Sequence, residues 1–154
     1  MSEHLATIRW ERSDSDFLKG KFSRIHTWTF DGGAVIQASP SPSVVMAPYS
    51  DAALVDPEEA LVAAISSCHM LTFLHFAARK GFQVDSYEDA AVGMMTKNAQ
   101  GVPWMSAATL RPKVVYSGDK RPTGQEEQEL HHMAHEKCFI AQSVKTEVTV
   151  ALAE

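Results

Sequence analysis

Basic residues are in the minority in this sequence: 14 Lys and Arg stand against 19 Asp and Glu, a formal net charge of −5. That balance excludes a general electrostatic pull toward nucleic acid or anionic lipid. Cysteine is scarcer still, with two among 154 residues. Two thiols do not make the disulfide framework of a small secreted domain. The opening stretch MSEHLATIRW has no apolar signal core, and no repeat or low-complexity tract follows. We therefore expect one cytoplasmic domain over 1–154, with neither nucleic acid nor membrane as partner.

What the chain does have is enough length and apolar content, 45 % hydrophobic residues, to bury a sizeable core. The most apolar run is Ala60–Ala78, which contains Ser66, Ser67, His69 and His75. Spanning a bilayer takes about 20 apolar residues. The run is borderline in length and has no companion, so it reads as a buried core helix.

The punctuation around that run is clear. Asp56 suits an N-cap, Pro57 the first helical position and Glu59 the acid of a capping box. Gly81 is the expected stop after Lys80. The helix is apolar nearly all round, so it should be covered on every side, partly by another copy of the chain.

Alternation predicts strands over His4–Arg12, Phe22–Phe30, Ala34–Ala38, Phe82–Thr96, Ala107–Tyr116 and Val144–Leu152. Asp31-Gly32-Gly33 predicts a hairpin turn, Asn98–Gly101 a second turn, and Pro112 an interruption of its strand. Ser13–Gly20 is turn-like, and Ser39–Val55, with three prolines, reads as a long loop. Gln125–Phe139 should be a second helix with Leu130, Ala134, Cys138 and Ala141 on its apolar side. The order gives an α+β fold.

Two constellations carry chemistry. His131, His135 and Cys138 fall at i, i+4 and i+7, one side of a helix, where they could share a metal ion, with Cys68 or His69 completing the site. A polar face that happens to hold histidines is the plainer reading. No paired-cysteine or H-E-x-x-H motif accompanies it. The other constellation is the thiol pair itself. Either cysteine alone reads as a buried packing residue.

DPEEALVAAISSC (Asp56–Cys68), the long apolar helix it opens, and Cys138 on a second helix together resemble the OsmC/Ohr family of thiol peroxidases. The resemblance covers nearly the whole chain. It implies an intertwined homodimer in which two antiparallel sheets wrap two long central helices. It further implies Cys68 as peroxidatic and Cys138 as resolving cysteine, with Glu58 at the family's glutamate. Arg24 is the nearest match to its arginine, with Arg9 and Arg12 as alternatives. No cofactor is implied. The substrate would be an organic hydroperoxide or hydrogen peroxide, and the reductant a small or lipoyl-type dithiol.

Physics agrees with these roles. A thiol amid apolar helix surface is inert unless a guanidinium stabilises its thiolate. A continuous helix puts Glu58 and Cys68 roughly 15 Å apart, so one chain cannot bring them together. The sequence departs from the family at His69, where an apolar residue is more usual. A non-catalytic dimer binding a hydrophobic ligand would share the same fold.

Overall fold

Three short strands open the chain in the computed structural model, which describes residues 1–13 and 15–152. β1 (Ala6–Arg9) pairs antiparallel with β2 (His26–Phe30), and β2 with β3 (Val35–Ala38). The β2–β3 turn is the expected one. Gly33 takes φ 88°, which favours glycine, and its N–H donates to the Phe30 carbonyl at 3.0 Å. β2 is shorter than its alternation suggests. The residues before it are tied elsewhere: the Arg24 N–H donates to the Tyr49 carbonyl at 3.1 Å instead of to a neighbouring strand.

Within the polar Ser13–Gly20 stretch a short 3-10 helix covers Phe17–Lys19; position 14 lies outside the described residues. Residues 39–55 form no strand or helix, as expected of a loop. Short bonds brace that loop, including Ser50 Oγ to the Val45 carbonyl and the Asp51 N–H to Ser39 Oγ.

α1 (Pro57–Arg79) starts as its sequence dictates. The Glu59 N–H donates to Asp56 Oδ1 at 2.7 Å, and the Asp56 N–H donates to Glu59 Oε2 at 3.2 Å. Gly81 ends the helix with φ 79°. The chain divides into two compact units, Met1–Ala60 and Leu61–Glu154, and α1 crosses the division near its first turn.

The second unit is built on one bent hairpin. β4 (Gln83–Asp89) and β5 (Val92–Lys97) run out, and β6 (Pro103–Leu110) and β7 (Pro112–Ser117) return around the Asn98–Gly101 turn. β5 pairs with β6 and β4 with β7, in almost continuous register from Lys97↔Pro103 to Gln83↔Ser117. The two long strands expected here are therefore four. The breaks fall opposite one another, at Ala90-Ala91 and at Arg111, just before the expected interruption at Pro112. Asp89 pins the bend, accepting the Arg111 N–H at 2.6 Å and the Ser66 hydroxyl of α1 at 2.5 Å.

α2 (Gly124–Lys137) follows a full capping box on Thr123 and Glu126. β8 (Glu147–Val150) then lies parallel to β6, from Ala107↔Glu147 to Leu110↔Val150. The two antiparallel sheets expected belong to a homodimer; among the described residues the single chain holds three, β1-β2-β3, β4-β7 and β5-β6-β8, the last of them mixed. Alternation reports which face a strand buries but not which neighbour it takes.

Phe73, Ala77 and Phe82 pack with Leu130 and Ala134 of α2, and Ile65 packs with Ala108 and Leu110 of β6. This chain alone covers α1 on one side only, and the remaining cover was expected from another copy. Its fully buried residues form one stripe, Ile65, His69, Phe73 and Ala77, while Leu71 is 61 % exposed. α1 is long and apolar enough by composition to cross a membrane, yet that stripe is packed against α2 and the β5-β6-β8 sheet.

Candidate active site

Cys68 is half-buried in the middle of α1. Cys138 is the residue after α2, where the helix has ended and the backbone turns extended (φ −69°, ψ 114°). It is 1 % exposed, and the Ala141 N–H donates to its sulfur at 3.4 Å. Burial pushes the Cys138 thiol up to about 11, the nearby Cys68 thiol adds to the rise, and the Ala141 and Ile140 amides oppose it. The two cysteines singled out in the sequence are thus neighbours, with no bond joining their sulfurs.

Beside them lies a pair of buried histidines. His69 and His131 are 1 % and 3 % exposed. Nε2 of His69 and Nδ1 of His131 are 3.0 Å apart and share one hydrogen. Their rings are nearly parallel, and Phe73 stacks on His131 at 4.3 Å between centroids. Burial drives each down to about 4; His135 lowers His69 further and Asp89 partly opposes that, while His69 itself lowers His131. Both rings are therefore neutral at neutral pH. Their outer nitrogens, Nδ1 of His69 and Nε2 of His131, are buried without a hydrogen-bond partner among the described residues.

Arg24 and Glu58 belong to the first unit. The Arg24 guanidinium donates to the Phe22 carbonyl at 2.8 Å and the Gly20 carbonyl at 3.3 Å, and lies 3.9 Å from the centroid of the Phe22 ring. Glu58 sits in the first turn of α1, with Oε2 buried and unpartnered among the described residues. α1 is unbroken from Glu58 to Cys68.

His131, His135 and Cys138 do not assemble as a ligand set. Among the described residues no three His, Cys, Asp or Glu side chains are placed to hold a metal ion. His131 faces His69 instead. His132, with His131 and His135, lines a separate open cleft of about 410 Å³ beside Val148 and Val150. The histidine pair itself escapes a reading of the residues one at a time. A signal for it exists: His69 stands exactly four residues from both Ile65 and Phe73, inside the apolar stripe, and His131 follows the core residue Leu130. A histidine in a core stripe needs a partner.

Residues 50–153 match the OsmC-like protein family. An OsmC-like protein of unknown function from Vibrio cholerae is 53 % identical, with a TM-score of 0.96 over 99 % of this chain and 100 % of that one. An OsmC-like protein from Mycoplasma pneumoniae (13 % identical, TM-score 0.73, 99 % and 96 % covered) shares the fold. So does the organic hydroperoxide resistance protein of Bacillus subtilis (19 % identical, TM-score 0.67, 99 % and 98 % covered). A comparison with proteins of curated function finds no match.

Proposed function

Because the chain belongs to the OsmC-like family, we propose that it is a cytoplasmic thiol peroxidase acting on organic hydroperoxides through Cys68 and Cys138. The observation that carries the reading is the nearness of the two thiols, close enough for Cys68 of α1 to raise the Cys138 thiol just past the end of α2. The solved relatives named for organic hydroperoxide resistance share the fold and support the substrate class.

The division of labour follows from the surroundings. Cys138, buried and raised to about 11, stays protonated at neutral pH and is a poor first nucleophile. Cys68 is the more accessible thiol and takes the first step. Its thiolate attacks the O–O bond, the alkoxide leaves and takes a proton as alcohol, and Cys68 becomes a sulfenic acid. Cys138 then displaces that oxygen as water and forms the disulfide. A small or lipoyl-type dithiol resets it by exchange.

On the family pattern Arg24 is the positive charge that the Cys68 thiolate needs and Glu58 the partner of that arginine in the assembled site; within this chain Arg24 bonds the Phe22 and Gly20 carbonyls instead. The exposed flank of α1, Leu71 included, is covered by a second copy in a homodimer. Glu58 then reaches Cys68 from the partner chain.

The test is hydroperoxide consumption with several dithiols. Wild type should turn over. Cys68→Ser should be inactive, and Cys138→Ser should stop after one equivalent. Intact mass should fall by two hydrogens after brief peroxide treatment, and not in Cys68→Ser. Mixing Glu58→Gln with Cys68→Ser should restore part of the activity, because one site of each mixed dimer is then intact. No mass change at either cysteine would end the peroxidase reading in favour of a binding role.

A further inference from the structure

The histidine pair occupies a telling place. His69 follows Cys68 directly on α1, and His131 stands two helical turns before Cys138 on α2. α1 therefore meets α2 through the imidazoles, and its neighbouring thiol lies near Cys138, the first residue past the end of α2. We propose that His69 and His131 are positioning residues for the thiol pair: their hydrogen bond fixes the register of α2 on α1 that brings Cys138 to Cys68.

Three observations support this. The bond is buried and directional, linking one nitrogen of each ring at 3.0 Å. Apolar contacts alone allow helices to slide against each other at little cost, whereas one polar pair in an apolar seam fixes register. Phe73 closes one face of His131 and Leu130 and Ala134 fill the same seam, so neither ring can turn to another partner without opening the core. Cys138 has no helix of its own to hold it. It sits just past Lys137, so its placement depends on how α2 is seated.

Disulfide closure needs the two sulfurs held near one geometry. A shift on the order of 1 Å at a reacting centre costs about a hundredfold in rate.

The proposal rests on the thiol reading given above, but its test does not need peroxide. The protein is equilibrated with oxidised and reduced glutathione. Cys68 and Cys138 lose their hydrogens to two glutathione sulfurs as the protein disulfide forms and the glutathione disulfide is reduced. The equilibrium constant measures how well the fold presents one thiol to the other. Stability is measured in parallel by denaturant.

His69→Leu or His131→Leu should lower the constant about tenfold or more. His69→Gln and His131→Asn, whose amides reach the positions of Nε2 and Nδ1, should recover most of it. The double change to leucine removes both polar partners, so stability should return toward wild type. The closure constant should stay low in that variant.

A constant unchanged in the single leucine variants would overturn the proposal. So would a constant that recovers together with stability in the double variant, since the pair would then be only a core contact. Failure of the wild type to close a Cys68–Cys138 disulfide at all would overturn it too. Normal closure without peroxide turnover would instead reject the peroxidase reading and leave the positioning role standing.

Discussion

Lowering the pH from 7 to 5 penalises the burial of the two core histidines before most carboxylates titrate. In the folded chain His69 and His131 take up protons only near 4, against 6.5 for an ordinary histidine. Between those values the unfolded chain binds protons that the folded chain refuses. Stability is therefore full above about pH 7 and falls as the pH drops through 6.5 toward 4. At pH 5 the loss is roughly 2 kcal/mol for each histidine, or about 4 kcal/mol for both if they titrate independently. That is a large share of the 5–15 kcal/mol typical of a domain. The groups facing the pair, His135 and Asp89, act in opposite senses on His69, so burial remains the main cause. Urea midpoints measured from pH 7.5 to pH 5 should show the fall in wild type. The His69→Leu/His131→Leu variant carries the other titrating groups and should show a much flatter profile. Parallel profiles for the two proteins would refute the argument.

Two further outcomes concern the frame around the site. Gly93 of β5 lies where an added Cβ would come within 2.5 Å of Val62 Cγ2 and 2.6 Å of Met105 Sδ. Gly93→Ala should therefore cost about 1–3 kcal/mol by overpacking, at roughly 2–4 °C of melting temperature per kcal/mol; an unchanged melt would mean that α1 and β5 are less close. Thr123→Ala removes the acceptor for the Glu126 N–H at the start of α2 and should lower stability by about 1 kcal/mol in urea titrations, a loss that serine should largely restore.

How far the residues announced this architecture can be judged element by element. The start of α1 was fully legible, because Asp56, Pro57 and Glu59 act through bonds spanning three residues. The Asp31-Gly32-Gly33 turn was legible for the same local reason. The bend at Ala90-Ala91 was not. Alanine is no breaker, and what bends the ribbon is Asp89 bonding to Arg111 and Ser66, each over twenty residues away. The parallel placement of β8 was equally silent, since its alternation suits any neighbour. At the site, the family resemblance named both cysteines, and the structure makes them neighbours. The histidine pair was split between two separate readings, His69 as an oddity after Cys68 and His131 as part of a metal face. Its meaning lies in a contact across 62 residues.

The bent hairpin also sets an order of events. Its pairings begin at Lys97↔Pro103 and run outward to Gln83↔Ser117, so each rung closes only a slightly larger loop than the last. Such contacts are quick to form. The His69–His131 contact and the β6–β8 pairing join distant parts of the chain and must wait for α2 and β8. Asp89 stands between these phases: one of its oxygens is taken by Arg111 of the returning strand, the other by Ser66 once α1 docks. A single carboxylate thus registers first that the ribbon has formed and then that α1 has been seated upon it.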